Sequence, residues 1–403
     1  MSKKIITSRR RFMAGAASTA GIVAASSFVP TRFAIGAKAP VKVGILLPYS
    51  GTYAMLGNAI TDAMKMKIDQ AGGKLGGRPI EYVGIDSEMS VPKAPQNTNK
   101  LIRKEKVDFL VGPVHSGIAA AMAKIIGSRK TPIMVVPNAG SNAVTGPLCA
   151  PNIFRTSFSN WQPAYPGGKL MGAEGHKTCV TISWKYGAGI QMMAAGRDGF
   201  AESGGKSIKD ILLPFPNVEF QAHLSEIASL KPDCVFAFFS GGGATKFLKE
   251  YAAAGLKDKI PLYGPGFLTE GVEKAAGAAA EGIKTTLHWA SNLDNRENAR
   301  FKEDYMKATG KNANVFAVQG YDTASLLLQA SAAVGGDVEA TADVIEAMET
   351  SNVPDSPRGP WRMSKAHNPI QNIYLRQVEG GQQKLLGVAA EQLEDPAAGC
   401  KMG

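Results

Sequence analysis

Residues 107–136 read VDFLVGPVHSGIAAAMAKIIGSRKTPIMVV. Val107–Val111 is a short apolar run that stops at Gly112-Pro113, and Ile133–Val136 is a second one. Between them Gly117–Ile126 is rich in Ala and Ile and has room for one helix. Strands that are apolar across their whole width, separated by single helices, belong to a parallel sheet covered on both faces. The same alternation extends toward the N-terminus. Val41–Leu47 is a strand ending at Pro48, and Ala59–Gln70 is a helix stopped by Gly72-Gly73. Pro79–Ile85 is a strand ending at Asp86, and Ala94–Lys104 is a helix. These βα units make one doubly wound lobe before residue 150.

The pattern then restarts. Thr178–Ser183, Ile208–Leu213 and Cys234–Phe239 read as strands, each followed by a helix: Gly189–Glu202, Phe220–Leu230 and Ala244–Ala254, the last ended by Gly255. Ile260–Tyr263 and Ile283–Leu287 add strands. The polar, Pro- and Gly-containing segment Phe154–Gly168 reads as the crossover between lobes. Three helical patterns follow, Asn295–Thr309, Val318–Ala333 and Val338–Thr350, then a two-strand tail, Trp361–Met363 and Ile373–Val378. These late elements are too few for a third domain and are expected to complete the first two. A length of 403 residues suits two cores better than one.

The net charge is +11, but Lys3, Lys4, Arg9, Arg10, Arg11, Arg32 and Lys38 stand in the first forty residues with no acid among them. The remaining bases are scattered among acids without a basic stripe, so nucleic-acid binding is not expected. The basic start is followed by the mildly apolar stretch Phe12–Val29 and by small residues up to Ala39, the layout of an export signal. Ser8-Arg9-Arg10-Arg11-Phe12-Met13 resembles the twin-arginine export motif. Residues 1–38 are therefore set apart as a signal peptide, and a periplasmic location is expected. No later segment is long and apolar enough to span a bilayer. Cys149 and Cys400 lie in loop-like surroundings, where a bond between them would tie down the C-terminal tail. Cys179 and Cys234 sit in apolar strands, as buried inert thiols do.

Enzyme signatures are missing. The histidines at 115, 176, 223, 288 and 367 form no metal-binding spacing, and there is no Gly-x-Ser-x-Gly elbow. Ser240-Gly241-Gly242-Gly243 lacks the Gly-Lys-Ser/Thr of a phosphate loop, and Gly264-x-Gly266 does not continue at dinucleotide spacing. No cofactor or metal is expected.

Several stretches carry a resemblance. Val43-Gly44-Ile45-Leu46-Leu47-Pro48 with Ser50-Gly51, Lys74 to Glu81 followed by Asp86, Val111-Gly112-Pro113 with Ser116, Pro137 to Thr145, Tyr186 with Gly187 and Gly189, and Gly320-Tyr321-Asp322-Thr323 stand in a telling order. In that order and spacing the chain resembles the periplasmic binding proteins of the leucine/isoleucine/valine-binding branch, which serve ATP-driven importers. The resemblance runs from residue 41 to about 380. It implies two α/β lobes of the Venus-flytrap type joined by three crossovers, with ligand in the cleft and hinge closure on binding. It also implies that the late helices return to the first lobe and the tail to the second. Lobe 1 would then be 41–160 plus 290–352, and lobe 2 161–289 plus 353–398. The implied partners are a permease and an ATPase, with the binding protein acting as a monomer.

In open parallel sheets ligands lie beyond the carboxyl ends of the strands, where helix N-termini suit an anion. Ser116 either caps its helix or, as the family's loop serine does, contacts ligand; both can hold together. Asn138, Ala139, Gly140 and Ser141 form a turn whose amides could hold a carboxylate. Tyr49, Tyr53, Trp161, Trp184, Tyr186, Phe239 and Phe267 stand near strand ends as a candidate aromatic clamp, each alternatively a packing residue. Ser240, Gly264 and Pro265 complete the second-lobe loops, and His115 and His288 could hydrogen-bond an anion or a phenol. Amino-acid binders of the family place an acid in the loop that here reads Leu262-Tyr263-Gly264-Pro265-Gly266-Phe267, with Gly266 at the acid's position and Glu270 read as part of the next helix. An ammonium ion enclosed without an anion would be costly. The expected ligand is therefore a carboxylate lacking an amine, with aromatic acids first. A branched-chain amino acid is the alternative within the family, and a ligand sensor or an enzyme the alternative outside it.

Overall fold

Valine, isoleucine and leucine dominate the innermost strands of the first sheet, and those of the second are as fully buried. The computed structural model describes residues 38–402, so the expected export signal and its twin-arginine motif lie outside the described residues except for Lys38. In the unit running from Ala39, the first sheet contains β1 (Val41–Leu47), β2 (Lys74–Leu75), β3 (Arg78–Asp86), β4 (Phe109–Val111), β5 (Ile133–Val136) and β6 (Ile153–Arg155) in the order β2-β3-β1-β4-β5-β6. All its pairings are parallel except the β2–β3 hairpin. The crossovers are α1 (Ala54–Gln70), α2 (Ala94–Asn99) and α3 (Ser116–Ile126). They cover strands that are almost wholly buried.

The second sheet begins after α4 (Trp161–Ala173). β7 (Thr178–Trp184), α5 (Gly187–Glu202), β8 (Lys206–Leu213), α6 (Gln221–Leu230), β9 (Cys234–Phe238), α7 (Gly241–Ala253), β10 (Leu262–Pro265), α8 (Glu273–Ala276) and β11 (Lys284–Leu287) build its parallel part. Next come α9 (Arg296–Thr309), α10 (Val315–Ala333) and α11 (Thr341–Glu349). α10 packs on α1, where a Cβ on Gly320 would stand 2.1 Å from the Ile60 carbonyl and Lys67 donates to the Tyr321 hydroxyl at 2.8 Å. The chain then returns to the second sheet as β12 (Asn352–Val353), β13 (Trp361–Met363), β14 (Pro369–Glu379) and β15 (Gln382–Leu393). The order is β12-β13-β14-β11-β10-β9-β7-β8, with β15 on β14. Up to β15, two doubly wound lobes joined by three passages result, the second finished by antiparallel strands.

Two departures from the sequence reading have physical causes. Phe154–Gly168 is not a bare crossover: it contains the end of β6 and the start of α4. Pro163, Pro166 and the glycines of α4 read as loop, yet they serve helix packing. A Cβ on Gly168 would lie 2.0 Å from the Gly196 carbonyl, and one on Gly199 2.2 Å from that of Tyr165. Close approach of α4 and α5 overrides intrinsic propensity. β15 escaped notice because it is a mostly exposed edge strand without a continuous apolar face.

Candidate functional site

The carboxyl ends of the parallel strands of both sheets face one cleft. From the first lobe, the turn after β1 brings Tyr53 and α1 brings Leu56; the segment after β4 brings Val114 and Ser116; the loop after β5 brings Asn138 and Gly140; and α10 brings Phe316. The passage between lobes contributes Phe158. From the second lobe come Tyr186, Ala188 and Met192 after β7, Phe238 and Ser240 at the end of β9, and Phe267 after β10. Together they line an open cleft with some 310 Å³ of space not filled by atoms, solvent at its mouth included.

The lobes meet across this space. The Tyr53 and Tyr186 hydroxyls are hydrogen-bonded at 2.9 Å. The His115 ring stacks on Tyr186 at 4.5 Å, and the Gln191 carboxamide oxygen accepts from the Asn142 amide at 3.0 Å. A Cβ on Gly187 would stand 3.0 Å from that of Ser116, so the N-termini of α3 and α5 abut. Phe267 packs against Phe158 at 4.8 Å and lies near Phe238 and Phe316 at 6.3 and 6.1 Å.

None of the lining residues is charged. His115 stands behind Tyr186, buried, and burial pulls its pKa down to about 4. Its Nδ1 accepts the Gly117 amide at 3.0 Å, which requires a bare nitrogen there and caps α3. His288 is held well below the usual imidazole range by burial, with the Arg358 and Arg376 charges adding to it. Asn138 donates to the Gln319 carboxamide oxygen at 2.7 Å, and the Gln319 amide nitrogen faces His288 Nε2 at 3.3 Å. That chain assigns the imidazole proton to Nδ1, which has no partner. Burial likewise raises the Tyr53 and Tyr186 phenols, so both stay neutral.

What the cleft offers an anion is dipoles. α5 and α7 begin at its edge, and neither has a side-chain cap. Ser240 occupies the cap position of α7, is buried, and its hydroxyl has no partner. Ser116 opens α3 and accepts a hydrogen bond from Asn160 at 3.3 Å. Gly140 has no room for a side chain: a Cβ would be 2.3 Å from Asn160 Oδ1 and 2.5 Å from the Phe158 ring.

Of the residues singled out in the sequence, Tyr53, Ser116, Asn138, Gly140, Tyr186, Ser240 and Phe267 line the cavity. Others do not. The Tyr49 hydroxyl pairs with Thr61 at 2.8 Å, and Trp161 stacks on Tyr165 at 4.6 Å. Trp184 is fully buried behind Tyr53 and donates to the Asn217 carbonyl. Phe239 packs into Phe220 and Phe247 because successive residues at a strand end point to opposite faces, which gives the cavity to Phe238. Ala139 and Ser141 are buried and present their carbonyls to Arg155. His288 stacks on Phe158 at 5.4 Å, and Gly264 and Pro265 are buried in β10. Leu56, Val114, Phe158, Ala188, Met192, Phe238 and Phe316 escaped the sequence reading. Only Ala188 and Met192 had a visible signal, one helical turn apart just after Tyr186. Cys149 and Cys400 are bonded, with Cα atoms 5.6 Å apart, and Cys179 and Cys234 are buried free thiols.

Glu270 is not part of the next helix. It lies in the turn before α8, buried, with its carboxylate 2.6 Å from Arg376 and accepting the Val315 amide at 2.7 Å. Arg376 also fills the space a side chain at 266 would need: a Cβ there would stand 2.4 Å from its Nη2 and 2.6 Å from Leu287 Cβ. The cavity therefore has no acid, and the nearest candidate is committed to a guanidinium.

A family model described as periplasmic binding protein matches residues 40–383. The chain belongs to this family. Among curated relatives of this periplasmic binding protein, the "Leu/Ile/Val-binding protein homolog 6" of Brucella abortus is 32% identical over 347 residues, covering 84% of this chain and 87% of the relative. The solute-binding protein of an ABC transporter from R. palustris, solved with benzoate, is 52% identical with a TM-score of 0.88, covering 90% of this chain and all of that one. One from Rhodopseudomonas palustris BisB5, solved with 3,4-dihydroxybenzoic acid, is 29% identical with a TM-score of 0.83, covering 89% and 99%. Among the described residues no helix is long and apolar enough to cross a membrane.

Proposed function

We propose that this protein is the periplasmic receptor of an ABC importer and that it captures a small aromatic carboxylate between its lobes. The observation that carries the reading is a cleft walled by phenyl and phenol rings that contains hydroxyls and helix N-termini but no charged side chain. A carboxylate there is the only charge, met by dipoles fixed before it arrives, at the N-termini of α3, α5 and α7. The ring lies among Phe158, Phe238, Phe267 and Phe316, where removal from water contributes about 25 cal/mol per Å² buried. Similarity to proteins solved with benzoate and dihydroxybenzoate supports the same ligand class.

Branched-chain amino acids, suggested by the name of the Brucella relative, fit less well. Their ammonium would meet no carboxylate, since Glu270 is held by Arg376. The bodies that hinge on binding are 41–160 with 290–352 against 161–289 with 353–398. The protein works as a monomer, is exported by the twin-arginine route, hands its ligand to a permease powered by an ATPase, and returns it chemically unchanged. Calorimetry with benzoate, 4-hydroxybenzoate and leucine tests the reading. We expect tight binding of at least one benzoate and none of leucine; tight leucine binding overturns it.

A further inference from the structure

Residues 394–402 follow β15 without regular structure, and the family match stops at residue 383. These residues are nevertheless anchored. β15 belongs to the second sheet, whereas Cys400 is bonded to Cys149, between β5 and β6 of the first. The tail is thus a fourth passage between lobes, with a covalent end. Ala398 presses its carbonyl on Gly146, where a Cβ would be 2.6 Å away. Asp395 turns inward: its Oδ2 accepts from the Thr145 hydroxyl at 2.7 Å and lies 3.4 Å from Arg155 Nη2.

Arg155 has no exposed surface. Its Nη1 donates to the carbonyls of Ala139 at 3.3 Å and Ser141 at 2.9 Å, and its Nε to Asn368 at 2.7 Å. The two carbonyls belong to the loop whose Asn138 and Gly140 line the cavity. A buried guanidinium held only by neutral acceptors would be poorly compensated, and Asp395 supplies the counter-charge. The disulfide keeps that carboxylate at high effective concentration.

We propose that the tail is a strap: Asp395, acting through Arg155 as a positioning residue, sets the conformation of loop 138–141 and so the affinity of the cleft. This rests on the cleft being the binding site. Without the strap the guanidinium must find water or another partner, and it releases the two carbonyls that shape the loop.

The test uses the full mature chain as wild type, Asp395→Asn, Asp395→Glu, and Cys149→Ser with Cys400→Ser. Hydrogen exchange of the 138–142 backbone amides is followed without ligand, and benzoate affinity is measured by calorimetry. For Asp395→Asn and the double serine variant we expect faster exchange in that loop and affinity lower by about tenfold, equivalent to about 1.4 kcal/mol. Exchange in β7 and β9 should not change, and Asp395→Glu should recover part of the loss. Wild-type loop exchange and affinity alongside a lowered Tm would reduce the tail to a simple staple and overturn the proposal. If wild type binds no aromatic acid, the ligand assignment fails and loop exchange alone judges the strap. If Asp395→Asn does not fold, reducing the disulfide in folded wild type gives the same comparison.

Discussion

The cavity and the layer directly behind it are built on opposite principles. The cavity wall has no ionised side chain. The layer behind it holds Arg376 with Glu270, Arg358 with Asp322 and Arg155 with Asp395, all buried. Each of these guanidiniums faces a carboxylate and also donates to backbone carbonyls: Arg376 to Gly266 and Trp289, Arg358 to Thr156 and Ser157, Arg155 to Ala139 and Ser141. The difference teaches how a site can take an anion without a cation in contact with it. Paired charges fix the loops, and the loops present uncharged dipoles.

The harshest way to break this division is to unpair the layer. Arg376→Met leaves Glu270 buried without its partner and should lower unfolding free energy by about 3–5 kcal/mol in urea titrations. Adding Glu270→Gln should recover part of that loss. A loss below about 1 kcal/mol would mean the pair carries no structural weight.

Next in size is the effect of protons just behind the wall. The His115 pKa is lowered from 6.5 to about 4 in the folded protein. The unfolded chain therefore binds the proton more readily, and the stability contributed by neutral His115 is complete above about pH 6.5. It is lost as pH falls toward 4, by up to about 3 kcal/mol. His115→Gln should show a flatter stability profile between pH 4 and 6.5 than wild type. Parallel profiles would contradict a neutral, buried imidazole.

Smaller effects fall on ligand alone. Ser116→Ala should cost about 1.5–3 kcal/mol of benzoate binding, the range for a hydrogen bond to a charged group, with little change in Tm. Ser240→Ala removes a hydroxyl that has no partner, so unliganded stability should hold or rise while affinity falls by about 1 kcal/mol. If affinity is unchanged, the carboxylate does not touch the α7 end of the cleft.

Much of the wall was legible because its residues sit beside the strand ends that betray the sheet. Tyr53, Ser116, Asn138, Gly140, Tyr186, Ser240 and Phe267 all stand within a few positions of an apolar run, and the topology of open parallel sheets points to those loops. Phe239 in place of Phe238 was a one-residue error in where the strand stops, and such an error reverses the face. Phe316 was out of reach because α10 comes from a distant stretch of chain. Glu270 looked like a helix residue because its partner, Arg376, stands 106 positions away.

The sequence by itself determined two doubly wound lobes, since apolar runs and helix spacing are local and report burial directly. It also determined that no acid stands at position 266. Only the tertiary structure decided where the charges went. Pairing of buried ions depends on distance in space, which contacts between residues far apart in the chain set and local spacing does not encode.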